Sequence, residues 1–308
     1  MSKPRLGFVG IGNMGWPMAR NLAAAGFPLT VYDLDTARAR RFEAEHGGRA
    51  ADDPESLGRA ADVVVTMLPT GADVRRVLLG DDGAQGGVAH GLASGAVVID
   101  MSSSDPIGTR DLGALLAARG IALIDAPVSG LVAKAETGTL TIMIGTDDEA
   151  ALATAEPILR VLGDRLVRVG RLGCGHAMKA LNNIVAASAF AATAEALIVG
   201  KRFGLDPAVM VDVMSASTGR NFHVEMSFPM HVLPRRFSTG FTLGLLAKDV
   251  SIASGLAAAL GATTPVLELV NRIFAEGRDE VGAAADNTAV IRRWERLNGV
   301  VVEPERGE

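Results

Sequence analysis

The chain has one cysteine, Cys174, in 308 residues, so it can form no intrachain disulfide. Its five histidines, His46, His90, His176, His223 and His231, do not combine with that cysteine at zinc-ligand spacing, and no metal is expected. Aromatic residues make up only 4%, so Ala, Leu and Val must build most of the core, a composition that favours close helix packing. Basic residues are outnumbered, 30 Lys and Arg against 35 Asp and Glu. A formal net charge of −5 argues against nucleic acid as the main partner, because a phosphate backbone needs clustered Lys and Arg. No uninterrupted apolar run reaches the roughly 18 residues of a membrane span; the Ala-rich stretch from Ile184 is broken by Ser188, Thr193 and Glu195. Met1-Ser2-Lys3-Pro4-Arg5 leads straight into a short apolar segment with no signal-like run before it. These absences lead us to expect a soluble, cytoplasmic protein with neither nucleic acid nor membrane as partner.

What is present is a chain of two textures. Short apolar runs read as strands at Leu6–Val9, Leu29–Tyr32, Asp62–Met67, Ala96–Ile99, Ile121–Ile124 and Leu140–Ile144, with helical segments such as Met14–Ala25 and Thr36–Glu45 between them. That alternation predicts an α/β fold with a doubly wound parallel sheet of Rossmann type. From Cys174 onward the residues are helix formers, with further helices at 207–216, 243–260, 264–276 and 286–297 and no convincing strand. We therefore expect a dinucleotide-binding domain at 1–170 and an all-helical substrate and oligomerisation domain at 171–308.

The segment Gly10-Ile11-Gly12-Asn13-Met14-Gly15 fits G-x-G-x-x-G, follows a strand and opens a helix. Gly10 permits the tight turn, Gly12 lets the backbone approach a pyrophosphate, and Gly15 allows close helix–strand packing. The helix N-terminus offers unpaired N–H groups to the phosphates. Asp33 ends the next strand, where a carboxylate accepts hydrogen bonds from a ribose diol and repels a 2′-phosphate. NAD is the expected cofactor, with NADP left open by Arg38 and Arg40 nearby.

Four motifs in order then carry a resemblance over nearly the whole chain. Gly7-Phe8-Val9-Gly10-Ile11-Gly12-Asn13-Met14-Gly15, Asp125-Ala126-Pro127-Val128-Ser129-Gly130, Gly175-His176-Ala177-Met178-Lys179-Ala180-Leu181-Asn182-Asn183 and Lys248-Asp249 resemble the β-hydroxyacid dehydrogenases, the family of 3-hydroxyisobutyrate dehydrogenase and tartronate semialdehyde reductase. Met67-Leu68-Pro69 matches the family's cofactor-side loop. The resemblance implies reversible hydride transfer between a nicotinamide cofactor and a short, anionic 3-hydroxyacid. It assigns acid–base catalysis to Lys179 with Asn183 beside it, and substrate binding to Ser129, Gly130 and Leu131. It also places Ser103, Phe241 and Lys248 near the cofactor. A free lysine is a poor base near neutrality, and burial at a domain joint would lower its pKa. Lys179 and Asn183 are four residues apart and share a helix face. Ser129 and neighbouring amides can hold a carboxylate without a full charge. Many family members have glycine where this chain has Leu131, which makes the pocket wall bulkier.

Ala186 stands where decarboxylating phosphogluconate dehydrogenases carry a second proton-transfer glutamate, which argues against membership there. Lys179 argues against an imine reductase. The remaining alternatives are a tartronate semialdehyde or related semialdehyde reductase and a non-enzymatic cofactor-binding sensor or scaffold. Arg220 to His223 and the pair Arg235-Arg236 are candidates for the far side of the pocket. Relatives lead us to expect a homodimer or homotetramer built through the helical half.

Overall fold

The computed structural model describes residues 3–81 and 86–304. The chain divides into two compact units, Met1–Lys179 and Ala180–Glu308.

The first unit is built on one sheet. Its strands are β1 (Leu6–Val9), β2 (Leu29–Tyr32), β3 (Arg49–Ala50), β4 (Val63–Thr66), β5 (Val97–Asp100), β6 (Ala122–Asp125), β7 (Val128–Ser129), β8 (Thr141–Gly145) and β9 (Arg165–Gly170). The order is β3-β2-β1-β4-β5-β6-β8-β7, with β9 on the other edge of β8. Pairing from β3 through β6 is parallel. The central strands are apolar at successive positions because both faces are covered. Phe8, Val65 and Ile99 point into one hydrophobic layer, while Val9, Val64 and Val98 point into the other.

Helices α1 (Gly15–Ala24), α2 (Thr36–His46), α3 (Pro54–Ala60), α4 (Gly71–Leu79), α5 (Val88–Gly91), α6 (Pro106–Ala117), α7 (Leu131–Thr137) and α8 (Glu149–Leu162) connect the strands. Aspartate or threonine side chains accept first-turn amides at most of their starts: Asp35 from Arg38 N, Thr70 from Asp73 N, Asp148 from Ala151 N.

Two features depart from the expected parallel sheet. β8 runs antiparallel to β6 and β7, so the sheet is mixed at this end. β9, absent from the sequence reading, pairs in parallel with β8. Its segment, Arg-Leu-Val-Arg-Val-Gly, is an edge strand with no fully buried residue, and its arginines hide it from a search for continuous apolar runs.

The second unit is helical. α9 (Cys174–Phe203) begins in the first unit and continues into this one without a break; α10 (Pro207–Ser215), α11 (Leu243–Ala259), α12 (Pro265–Val281) and α13 (Ile291–Asn298) follow. By length and composition α9 could cross a membrane, but its most apolar window is 56% buried, as in a core helix. Ile184, Phe190 and Leu197 of α9 pack with Val250, Phe274 and Trp294. Between α10 and α11 lies a π-helix, His223–Val232, that the sequence did not announce. Pro229 sits inside it, and Leu233 N reaches back to Phe228 O at 2.9 Å, one residue farther than an α-helical bond. A 3.6-residue period does not detect that spacing.

Candidate active site

The three glycines of the first turn answer to different constraints. Gly10 has φ +89°, and a Cβ there would strike the carbonyl oxygen of Met67. A Cβ on Gly15 would collide with the carbonyl oxygen of Gly10. Both are required by the protein's own packing. A Cβ on Gly12, in contrast, would meet nothing within 4 Å. The missing side chain at Gly12 serves no internal contact and leaves the backbone open to a ligand, as a pyrophosphate cradle requires. Asn13 beside it is exposed, Met14 packs on the core, and Ile11 is fully buried.

Asp33 closes this turn from β2. Its carboxylate accepts from Ile11 N and from Asp35 N, each at 2.9 Å, and Arg38 Nη1 lies 3.6 Å away. The sequence reading gave Asp33 a ribose to hold but not this second task of fixing the glycine loop. A carboxylate has about four lone-pair sites, so two amides do not exhaust it. A cavity of about 350 Å³ adjoins the turn, lined by Gly12 and Asn13 and by Arg20, Arg38 and Arg41. Its three arginines, set against one carboxylate at Glu136, suit a phosphate-bearing ligand.

The loops after β4 and β5 come next. Met67 N donates to Val9 O at 2.9 Å, Leu68 N donates to Ser102 Oγ at 2.9 Å, and Pro69 is exposed. Ser103 is half-buried and precedes α6, whose cap is Asp105, accepting from Gly108 N at 2.6 Å. Ser129 lies within β7, paired with Thr141. Gly130 follows with φ +142°, and Leu131 opens α7 with φ +59° and 43% exposure. A conformation that favours glycine is thus held by leucine.

The start of α9 carries Lys179, which is half-buried. Two residues that the sequence left without a role lie beneath it. Asp125 accepts from Gly173 N at 2.8 Å and from His176 N at 2.7 Å. Burial pushes its carboxyl up from the ordinary carboxylate value, while His176 and the two amides pull it back. His176 is fully buried among Thr109, Asp100 and Asp125. No spacing rule would bring these four together; the crossing of β5, β6, α6 and α9 does.

In the helical unit, Asn183 is buried and donates through Nδ2 to Asp249 Oδ2 at 2.7 Å. Lys248 Nζ lies 3.0 Å from Asp249 Oδ1. The late Lys248-Asp249 motif therefore holds the amide of Asn183, which stands one turn after Lys179 on the unbroken α9. Phe241 packs against the helical core, with its carbonyl accepting from Asn287 N at 2.9 Å. Two pocket-wall candidates are occupied otherwise. Arg235 makes a two-pronged ion pair with the buried Glu295, and His223 is buried against Ala186 O.

The chain matches two family models: the NAD-binding domain of 6-phosphogluconate dehydrogenase over residues 5–170, and the NAD-binding domain of NADP-dependent 3-hydroxyisobutyrate dehydrogenase over 173–294. It is 35% identical to the 2-(hydroxymethyl)glutarate dehydrogenase of Eubacterium barkeri, covering 97% of each chain. It is 38% identical to a 3-hydroxyisobutyrate dehydrogenase of Pseudomonas aeruginosa, over 87% of this chain and 90% of the relative. A solved Mycobacterium tuberculosis 3-hydroxyisobutyrate dehydrogenase with L-serine superposes with a TM-score of 0.85 at 33% identity, over 95% of this chain and 99% of that one. The open glycine cradle and the two family models agree on an NAD(P) cofactor, and the chain belongs to the β-hydroxyacid dehydrogenase family, oxidoreductases that act on the hydroxyl group of a hydroxyacid.

Proposed function

We propose that the protein oxidises the primary alcohol of a 2-substituted 3-hydroxypropanoate to the corresponding semialdehyde, reversibly, with NAD preferred. The observation that carries this reading is Lys179 one turn before Asn183 on an uninterrupted helix, with the Asn183 amide oriented by a buried aspartate. The named relatives favour the substrate class. 3-Hydroxyisobutyrate, 2-(hydroxymethyl)glutarate and L-serine all carry a CH₂OH group on the carbon next to a carboxylate. They differ only in the third substituent.

Bound NAD(P) supplies the hydride acceptor. Lys179 Nζ takes the hydroxyl proton as the C–H hydride leaves, and returns it to the aldehyde oxygen in the reverse direction. The Asn183 amide has two N–H groups; Asp249 takes one, and the other orients the reacting oxygen. Ser129 Oγ and the amides of Gly130 and Leu131 hold the substrate carboxylate. Asp33 favours the ribose diol of NAD over a 2′-phosphate.

The test is NADH formation over a panel of 3-hydroxyisobutyrate, L-serine, 2-(hydroxymethyl)glutarate and glycerate, run beside NADP and repeated with Lys179→Ala. Turnover of the first three and its collapse in the variant are expected. A kcat within a few-fold of wild type in Lys179→Ala would remove the lysine from its role; glycerate as the sole substrate would favour a tartronate semialdehyde reductase. We also propose a homo-oligomer covering the outer face of α9, where Val185, Val199 and Phe203 are exposed. A monomeric mass in light scattering would refute it.

A further inference from the structure

Asp100, Asp125 and His176 are buried together under the first turn of α9, and the chemistry above uses none of them. We propose that Asp125 and His176 are positioning residues that set Lys179 against the cofactor-side loops; the proposal rests on the reading of Lys179 as the acid–base group.

The amides of Gly173 and His176 lie where a starting helix has N–H groups without intrahelical acceptors. Asp125, at the end of β6, takes one with each carboxylate oxygen, at 2.8 and 2.7 Å. Lys179 is three residues beyond His176, roughly 4.5 Å along the axis at 1.5 Å per residue. Any tilt at this grip therefore reaches Nζ. The surroundings are shaped for the grip: a Cβ on Gly145 would strike Asp125 Oδ1, and one on Gly175 would strike Asp125 Oδ2.

His176 makes a second tie. The Thr109 hydroxyl donates to Asp105 O at 2.8 Å, so the 2.8 Å contact between Thr109 Oγ1 and His176 Nδ1 is an Nδ1–H donation. His176 Nε2 then faces Asp100 Oδ2 at 3.6 Å. Asp100 accepts from Thr66 Oγ1 at 2.9 Å, Ser102 N at 3.0 Å and Ser104 Oγ at 2.8 Å. Ser102 Oγ in turn accepts from Leu68 N in the cofactor-side loop. Leu68, Ser102 and Asp100 thus form a hydrogen-bonded cluster that abuts His176 on the helix bearing Lys179, with no hydrogen bond across the 3.6 Å gap to Nε2, all within one unit.

A double-mutant cycle tests this. Asp125→Asn sets an amide donor against one of the two helix amides; Thr109→Val is milder and leaves Nδ1–H without its acceptor. Each is made in wild type and in Lys179→Ala. The readouts are kcat and KM with 3-hydroxyisobutyrate and NAD, and NADH affinity by fluorescence. The expected result is a fall in kcat of about tenfold or more for Asp125→Asn and about threefold for Thr109→Val. KM and NADH affinity stay within about threefold, and neither change lowers the residual rate of Lys179→Ala any further. Losses that recur in full without the lysine, or that track NADH affinity, overturn the proposal as general structural damage. Full kcat in both variants beside an inactive Lys179→Ala sinks the proposal alone. Full kcat in Lys179→Ala sinks the reading of Lys179 and the proposal with it. If Asp125→Asn does not fold, Thr109→Val decides.

Discussion

Acid should destabilise the protein through His223. This imidazole is buried in the π-helix, with Nε2–H donating to Ala186 O and Nδ1 accepting from Ser227 Oγ, each at 2.9 Å. Burial pulls its pKa from the ordinary 6.5 to about 4, against the smaller opposing effect of the Ala186 carbonyl. A base with a depressed folded-state pKa binds fewer protons folded than unfolded. Its contribution is therefore fully present above pH 6.5 and is lost as pH falls toward 4. With 1.36 kcal/mol per pKa unit, the loss is about 2 kcal/mol by pH 5 and about 3 kcal/mol by pH 4. Asp125, whose carboxyl is pushed up, contributes with the opposite sign at acid pH, so the measurement must be a difference. Urea unfolding is followed by the fluorescence of Trp294 in a Trp16→Phe background, at pH 7.5 and pH 5, for His223 and for His223→Gln. The histidine protein should lose about 2 kcal/mol more across that interval than the glutamine variant. Equal losses would show that His223 is already protonated in the fold or never desolvated, and the argument would fail.

Three further outcomes follow from the site. Gly12→Ala should leave the melting temperature unchanged and weaken NADH binding roughly tenfold or more, whereas Gly15→Ala should destabilise the fold itself; equal thermal effects would refute the division of roles among the glycines. Asp33→Asn should raise the NADP:NAD ratio of kcat/KM and do so more cleanly than Asp33→Ser, because Asn keeps an acceptor for Ile11 N; an unchanged ratio removes Asp33 as selector. Leu131→Gly should hold or raise stability by up to about 1 kcal/mol through relief of the left-handed backbone, and Leu131→Val should lower it; calorimetry showing the reverse order would mean that the leucine side chain contributes more packing than its backbone costs.

The central strands were legible because burial on both faces writes them as unbroken apolar runs, as in Val63-Val64-Val65. The glycine turn was legible through its motif: Gly15 is demanded by Gly10 O five residues away and Gly10 by its positive φ, although Met67 O, far along the chain, also bars a Cβ at Gly10. β9 was not, since Arg165 and Arg168 interrupt the apolar run of an edge strand that has no fully buried residue. The π-helix was not, since its register is set by Pro229 and by packing against Phe190, whose ring stacks on Phe228 at 4.9 Å. Lys179 and Asn183 were visible through their motif, but what orients Asn183 was half visible: Asp249 appeared only as the residue after Lys248.

A buried carboxylate shows in a sequence only as a letter, and its partners lie at separations set by the fold. Asp125 and the amides it holds are 48 and 51 residues apart, and Asp33 and Ile11 are 22 apart. In both cases a carboxylate at the end of a parallel strand accepts main-chain N–H groups: Asp33 takes one from the glycine turn and one from its own loop, and Asp125 takes two from the start of α9. Parallel strands end on one side of the sheet, so short acidic side chains there face the turns and helix starts that gather on that side. Main-chain amides are fixed in direction, and a carboxylate that takes two of them fixes the segment more firmly than a hydroxyl could. Asp33 and Asp125, at the ends of β2 and β6, thus anchor main chain, as Ser129 at the end of β7 anchors substrate in the function proposed above.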